Sequence, residues 1–164
     1  MRVYLMRHGH AVDRDDPNCP PDRDRPLTAE GRKRTEKAAQ GLKWLGLAPA
    51  IVLTSPFLRA RETAEIVMNV LKLKPAALVL SEDLLPSAPA RKLRGSLRRR
   101  RSFEVLCVGH LPHLDEAIAH LLEAPFAITE LKKSAVAAID LPASGPGTIM
   151  WLMDPKTLGR LAGK

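Results

Sequence analysis

The chain has 164 residues, the size of one ordinary domain, and can bury a core without a disulfide or a structural metal. Its composition, 45% hydrophobic and 27% charged, is typical of a soluble globular protein, and no apolar run is long enough to span a bilayer. The net charge of +8 favours an acidic or phosphorylated partner, although nucleic acid would satisfy that charge equally. Because Arg7 interrupts the apolar start too early for a signal peptide, we expect a single cytoplasmic domain over residues 1–164, with no membrane segment.

Strands and helices alternate through the first half of the chain. Residues 3–6 are apolar and predict a buried strand, whereas the polar, proline-rich residues 12–26 predict a loop. Thr28 is a suitable N-cap for a helix that runs to about Leu45 and ends at Gly46. A second strand and a second helix follow at residues 51–53 and from Pro56 onward.

The second half continues this alternation and then changes to two adjacent strands. Its elements are a strand at 77–80, a loop at 83–89, a helix at 90–99, a strand at 105–108, a helix at 114–122 and strands at 134–141 and 148–153. A turn at residues 144–147 would let the last two strands pair as a hairpin. We therefore predict an α/β fold with three layers, α/β/α, around a mainly parallel, mixed sheet of six strands.

The two cysteines lie in different surroundings. Cys19 is in the polar loop and Cys107 is in an apolar run, so we expect two free thiols in a reducing compartment. No spacing typical of a zinc site occurs, and we predict neither a metal nor a cofactor.

Polar residues follow three of the predicted parallel strands, at the edge where such folds bind ligands. Arg7 and His8 follow the first strand, Arg59 lies in the first turn of the helix after the second, and His110 follows the fourth. This set suits a phosphoryl group, because guanidinium groups match phosphate oxygens and an imidazole can attack phosphorus or donate a hydrogen bond. No P-loop is present, so the sequence does not indicate hydrolysis of a nucleoside triphosphate.

Four segments of the chain together resemble a known enzyme family. They are residues 6–11 (Met-Arg-His-Gly-His-Ala), 25–28 (Arg-Pro-Leu-Thr), 55–60 (Ser-Pro-Phe-Leu-Arg-Ala) and 109–112 (Gly-His-Leu-Pro). The Arg-His-Gly run after an N-terminal strand resembles the signature of the histidine phosphatase superfamily, whose larger members include phosphoglycerate mutases. The four segments in this order, over nearly the whole chain, resemble its SixA-type phosphohistidine phosphatases.

The resemblance implies a role for each of these residues. His8 would be the nucleophile that becomes phosphorylated, while Arg7, Arg59 and His110 would bind the phosphoryl oxygens and stabilise the transition state. We expect one nitrogen of His8 to be unprotonated, its other nitrogen to donate to a backbone carbonyl, and the ring of His110 to be charged. The backbone of Gly9 and the hydroxyl of Ser55 are further candidates for substrate binding.

The segment after the third strand bears on the substrate. Relatives that act on phosphate esters carry a general-acid glutamate there in a longer insert, and residues 81–89 of this chain are short. An ester's alkoxide leaving group needs a proton, whereas an imidazole with a pKa of about 6.5 does not. The segment therefore favours phosphohistidine as the substrate, and Glu82 and Asp83 stay as candidates for an acid or for substrate binding.

The predicted partner is a protein that carries phosphohistidine, such as a histidine phosphotransfer or phosphocarrier domain in two-component or phosphotransfer signalling. The alternatives are hydrolysis of small phosphate esters, a mutase-type transfer and a non-catalytic phosphate-binding module. The basic stretch from Arg91 to Arg101 is interpreted as a solvated surface, with docking of an acidic phosphoprotein as the second interpretation. Nucleic-acid binding is disfavoured, because Phe103 is the one aromatic residue near that stretch.

Overall fold

The fold comes from a computed structural model that describes residues 1–100 and 102–163. Arg101, the last residue of the basic stretch, and Lys164 lie outside the described residues. The strands are β1 (Arg2–Arg7), β2 (Ile51–Thr54), β3 (Leu78–Leu80), β4 (Glu104–Gly109), β5 (Val136–Asp140) and β6 (Thr148–Met153). The helices are α1 (Ala29–Trp44), α2 (Leu58–Leu71), α3 (Arg91–Arg98), α4 (His113–Leu122) and α5 (Pro155–Leu161).

The strands form one sheet in the order β3-β2-β4-β1-β5-β6. Neighbours among β3, β2, β4 and β1 run parallel, whereas β5 is antiparallel to β1 and to β6. The mainly parallel, mixed sheet is therefore confirmed, including the hairpin of the last two strands. Because the parallel strands end at the same edge, the residues that follow β1, β2 and β4 meet there.

Side chains of the central strand alternate between the two faces of the sheet, as extended backbone requires. Val3 and Leu5 of β1 belong to a buried cluster with α3 and α4. Tyr4 and Met6 belong to a second cluster with α1, α2 and α5 on the opposite face. The three predicted layers are confirmed. Among the described residues, no helix is both long enough and apolar enough to cross a membrane.

The ends of α1 follow from its sequence. Thr28 Oγ1 accepts a hydrogen bond of 2.9 Å from the Gly31 backbone N–H, which is the predicted N-cap. Gly46, with φ of 76°, adopts the left-handed conformation that ends the chain's helical path. Both predicted boundaries are confirmed within one residue or two.

Helix α5 is the element that sequence reasoning missed. Its start carries a recognisable signal, because Asp154 Oδ1 accepts a 2.7 Å hydrogen bond from the Thr157 backbone N–H and Pro155 occupies the first helical position. The helix packs closely on α1. A Cβ added at Gly41 of α1 would lie 2.1 Å from the carbonyl oxygen of Leu158 in α5.

Candidate active site

A pocket with a volume of about 330 Å³ opens at the carboxyl edge of the parallel strands. It brings together the side chains of Arg7, His8, Arg59 and His110, which the sequence places on three different elements. The remaining wall consists of His10, Ala11, Val12, Asp13, Arg14, Arg25, Pro86, Leu111 and Lys133. The pocket is therefore strongly cationic and polar, which suits an oxyanion.

His8 lies at the base of this pocket and is 7% exposed. Its Nδ1–H donates a 2.7 Å hydrogen bond to the carbonyl oxygen of Gly9, so the lone pair is on Nε2. The expected bond to a backbone carbonyl is thus confirmed. Burial lowers the pKa of His8 to about 3, despite the Gly9 hydrogen bond, and the charges of Arg59 and Arg7 lower it further. The ring is neutral near pH 7, with an unprotonated nitrogen available for attack.

Arg59 is held from both sides of the pocket. Its Nε donates to His8 Nε2 at 3.3 Å, and its Nη1 donates to the backbone oxygen of Asp22 at 2.5 Å. Its Nη2 also lies 3.3 Å from the Asp22 carboxylate. Arg59 is 2% exposed, so this side chain has a fixed position against His8.

Asp22 and Arg25 are site residues that sequence reasoning did not assign. Asp22 begins a short 3-10 helix in the loop before α1, and its Oδ1 accepts a 2.9 Å hydrogen bond from Arg25 Nε. Partial burial raises the pKa of Asp22, but the guanidinium groups of Arg59, Arg14 and Arg25 outweigh burial and lower it. No sequence motif singles out Asp22. Arg25, in contrast, is the first residue of the Arg-Pro-Leu-Thr segment that carries part of the family resemblance.

Arg7 is oriented from the opposite wall. Its Nη1 donates a 2.8 Å hydrogen bond to the Leu131 carbonyl, and its Nε has no partner among the described residues. Asp115 of α4 fixes the loop between α4 and β5 that contains Leu131. Its Oδ1 accepts hydrogen bonds from Thr129 Oγ1 at 2.8 Å and from the Leu131 N–H at 3.3 Å. Burial lowers the pKa of Arg7, while the charges of Asp115 and Glu130 raise it.

His110 is also buried beside the pocket. Burial lowers its pKa to about 2, and the nearby His8 and Arg59 add to this effect. The ring is therefore neutral near pH 7 in the protein without a ligand, and a charged imidazole during phosphoryl transfer stays a prediction. Its Nε2 and Ser55 Oγ lie 2.9 Å apart in a hydrogen bond, so Ser55 positions the ring from behind rather than forming the pocket wall. The Nδ1 has no partner among the described residues.

Three of the other predicted site residues are placed elsewhere. The Gly9 N–H donates to Thr63 Oγ1 at 3.0 Å, and a Cβ at Gly9 would lie 2.4 Å from Thr35 Oγ1. Gly9 therefore serves close packing, not approach of a ligand, which corrects that interpretation. Glu82 and Asp83 lie on a short 3-10 helix and do not line the pocket, although Pro86 just beyond them does.

The basic stretch lies away from the pocket in its described part. Arg94 donates to the His120 carbonyl at 3.1 Å and to the Gly145 carbonyl at 2.8 Å, so it ties α3 to α4 and to the β5–β6 turn. Arg98 and Arg100 line a depression beside Met1, which precedes β1. The pocket follows the other end of β1, about 20 Å away. The position of this stretch argues against docking of a substrate protein there.

Outside the pocket, the described residues offer little further chemistry. Within residues 1–100 and 102–163, no group of three or more His, Cys, Asp or Glu residues has the arrangement of a metal site. Cys19 and Cys107 are free thiols. Burial raises the pKa of Cys107 to about 12, so this thiol is unreactive at neutral pH.

Known proteins resemble this chain in sequence and in fold. Residues 3–84 match the model of the histidine phosphatase superfamily (branch 1). The chain is 36% identical over 163 residues to the phosphohistidine phosphatase SixA of Escherichia coli K12, with 96% of each chain covered. The structure of the protein histidine phosphatase SixA complexed with tungstate matches with a TM-score of 0.85 and 32% identity, covering 96% of this chain and 99% of that chain.

A more distant structure shares the fold alone. The α-ribazole phosphatase of Shigella flexneri matches with a TM-score of 0.74 at 19% identity, covering 94% of this chain and 97% of that chain.

The family match over residues 3–84 and the 36% identity over nearly the full length lead to one conclusion. This chain belongs to the histidine phosphatase superfamily, branch 1.

Proposed function

We propose that residues 1–164 act as one domain that hydrolyses phosphohistidine on a protein through a phospho-His8 intermediate, without a metal or cofactor. The observation that carries this proposal is the state of His8. Its Nδ1–H is bonded to a backbone carbonyl, and its Nε2 lone pair points towards Arg59 in a cationic pocket. The similarity to a protein named phosphohistidine phosphatase supports the choice of substrate.

In the first step, the phosphoryl oxygens take the Arg59 Nε–H from His8 Nε2, and the freed lone pair attacks the phosphorus atom of the substrate's phosphohistidine. A new P–N bond forms as the old one breaks, and the substrate's imidazole, which carries a proton on its second nitrogen, leaves as a neutral ring with the electron pair of the broken bond. Because one imidazole replaces another, the two P–N bonds are of similar strength and no strong base is released. The low pKa of His8 favours this step, since the attacking nitrogen needs no prior deprotonation at pH 7.

In the second step, water attacks the phosphorus of phospho-His8, and the P–Nε2 bond breaks as its electron pair returns to His8. The protons of the water leave with the inorganic phosphate or pass to solvent, which regenerates neutral His8. Arg7, Arg59 and His110, which all line the pocket, hold the equatorial oxygens. A bound phosphoryl dianion would raise the pKa of His110, which favours the protonated ring. Ser55 keeps that ring in place through the bond to Nε2.

The competing activity is hydrolysis of small phosphate esters. One observation favours it, which is the carboxylate of Asp13 in the pocket wall. Asp13 is exposed, whereas a general acid that must protonate an alkoxide at neutral pH usually has a pKa raised by burial. Glu82 and Asp83 lie outside the wall, so the geometry supports phosphohistidine better.

The substrate we propose is a histidine phosphotransfer or phosphocarrier domain in two-component or phosphotransfer signalling. The cytoplasm is the proposed location, because such domains act there and because the two cysteines are free.

The test compares the wild type, His8→Ala and the control His120→Ala on a phosphohistidine-bearing phosphotransfer domain and on p-nitrophenyl phosphate. We expect His8→Ala to lower kcat on the phosphodomain at least about a thousandfold, because the nucleophile is lost. His120 is exposed on α4 and its replacement should leave kcat within about twofold. Rapid quenching should trap acid-labile phosphate on the wild type only.

Two results would contradict the proposal in different ways. Phosphate release by His8→Ala at the normal rate would remove His8 as the nucleophile. Cleavage of p-nitrophenyl phosphate by a wild type that leaves the phosphodomain intact would establish the ester activity instead.

A further inference from the structure

A second depression, larger than the pocket, opens directly beside it. It has a volume of about 760 Å³ and lies between α1, α5 and the loop before β5. Arg7, His10 and Lys133 line both depressions, so the two form one continuous surface. We call this surface the basic groove, after its exposed cations Arg34, Lys37, Lys132, Lys133, Lys156 and Arg160.

Most of these cations lack an anionic partner within the protein. Arg34 pairs with Glu30 at 2.8 Å, and Lys132 lies 4.0 Å from Asp154. The other four make no ion pair among the described residues, and Asp154 is the one carboxylate in the groove's described lining. That carboxylate is already used as the N-cap of α5. The groove therefore has an uncompensated positive charge that an external anion would neutralise.

Lys133 stands at the junction between the pocket and the groove. Desolvation beside the pocket lowers its pKa, and the charges of Arg7 and Arg25 lower it further, while the carboxylate of Asp13 raises it in part. Like charges are thus held close together at this point, and an anionic surface placed over them would relieve the repulsion.

The groove has a rigid base. Helices α1 and α5 are in close contact at Gly41, and a Cβ at Gly159 of α5 would lie 3.6 Å from Lys37 Cβ of α1. The cations of the two helices are therefore presented at a fixed spacing, which limits the entropy lost when a partner binds.

We propose that the basic groove docks an acidic face of the same phosphoprotein whose phosphohistidine enters the pocket. This inference rests on the proposed function. A phosphohistidine stays attached to its protein, so the surface around it must lie against the rim of the pocket, and the groove continues that rim. Nucleic acid fits less well, because no Phe, Tyr or Trp is among the groove's described lining residues.

The experiment uses two charge-reversal variants that are matched in chemistry. The groove variant is Lys37→Glu/Lys156→Glu, and neither lysine lines the pocket. The control is Lys43→Glu/Lys74→Glu, two exposed lysines that precede β2 and β3 at the opposite edge of the sheet. Each is assayed on a phosphorylated histidine-phosphotransfer domain with an acidic surface and on phosphoramidate, which has the P–N bond and no surface.

We expect the groove variant to lose about tenfold or more in kcat/KM on the phosphodomain, through a higher KM, because docking charge is reversed. Its kcat/KM on phosphoramidate should stay within about twofold, as should both values of the control variant. Salt should raise the KM of the wild type more steeply than that of the groove variant.

Several outcomes would overturn the docking proposal. If the groove and control variants lose kcat/KM on the phosphodomain equally, the effect is one of net charge and not of docking. If the groove variant loses kcat/KM equally on the phosphodomain and on phosphoramidate, the groove supports the pocket and does not dock a protein. Weaker sedimentation of the groove variant with vesicles of equal parts phosphatidylserine and phosphatidylcholine, with unchanged phosphodomain kinetics, would assign the groove to a membrane surface. A wild type that leaves the phosphodomain intact but cleaves phosphoramidate would contradict the proposed function itself.

Discussion

His8 and His110 face each other in the pocket with ring centroids 5.0 Å apart. Burial lowers the pKa of each ring to about 3 and about 2, so neither is charged near pH 7. Two imidazolium groups at this distance would repel each other and the arginines around them. The site thus keeps His8 unprotonated through burial, and this same burial affects the stability of the fold.

We expect the free energy of unfolding to fall as the pH drops below about 6.5. The unfolded histidines take up protons there, whereas folded His8 and His110 stay neutral down to about pH 3 and about pH 2. Each histidine contributes a slope of about 1.4 kcal/mol per pH unit in that range. Urea unfolding between neutral and mildly acid pH measures it. His110→Gln should reduce the slope and His120→Gln should not, and identical slopes in both would contradict the prediction.

Asp22 places a negative charge against two arginines that line the pocket. Its carboxylate lies 3.3 Å from Arg59 and 2.9 Å from Arg25, and so it neutralises part of the pocket. We expect Asp22→Asn to bind inorganic phosphate about threefold to tenfold more tightly, since about 1 kcal/mol of repulsion is removed. Arg59 keeps its bond to the Asp22 backbone oxygen in this variant. Product inhibition of phosphoramidate hydrolysis measures the change.

The control for this prediction is Asp24→Asn. Asp24 belongs to the same short 3-10 helix and pairs with Arg23, outside the pocket wall. Phosphate inhibition that weakens in Asp22→Asn would show that Asp22 acts mainly by positioning the arginines.

At the residue level, the sequence was sufficient to predict that four side chains share one pocket. Arg7, His8, Arg59 and His110 follow strand ends, and strand ends of a parallel sheet have a shared edge. The sequence could not show that Asp22 reaches Arg59, because a loop residue's partner depends on the path of the folded loop. Nor could it show that His110 is neutral, since the degree of burial is a property of the packed structure.

Among the elements, the contact of α1 with α5 is the one most sensitive to a small change. Gly41→Ala would place a methyl group 2.1 Å from the Leu158 carbonyl oxygen, so α5 must move. We expect a loss of about 1–3 kcal/mol in the free energy of unfolding, measured by urea denaturation. Gly95→Ala in α3 is the matched control, because its nearest neighbour is the flexible Arg99 side chain at 3.5 Å.

Gly95→Ala should raise the free energy of unfolding by about 0.5–1 kcal/mol, because alanine is a better helix former than glycine. Equal effects of the two substitutions would show that α5 is not held against α1 in solution. The test therefore also reports on the basic groove, whose two walls are these helices.

Most helices and strands were predictable from the sequence, and the short helix α5 was not. The six strands and the first four helices follow from apolar periodicity and caps such as Thr28. Helix α5 has seven residues and buries one of them, Leu158, so it has almost no apolar pattern. Its Asp-Pro start was the available signal, and short helices of this kind are stabilised by packing rather than by their own sequence.

On the scale of the whole molecule, positive charge is concentrated at two separate surfaces. One is the basic groove beside the pocket, and the other is the depression with Arg98 and Arg100 beside Met1. The sequence made the second conspicuous, because its arginines are consecutive. The groove was invisible to sequence reasoning, because its cations come from α1, α5 and the loop between α4 and β5. Which charges form one surface is decided by the fold.

The place of β1 in the sheet has a consequence for biosynthesis. The strand that precedes His8 is made before both of its neighbours in the sheet, β4 and β5, which begin at residues 104 and 136. In a nascent chain the apolar β1 therefore stays unpaired until about a hundred further residues have left the ribosome. The delay follows from the large sequence separation between β1 and its partner strands. Since Arg7 is also oriented by Leu131, His8 and its surroundings reach their final arrangement late and together. Incomplete chains that lack β4 and β5 consequently lack the assembled pocket.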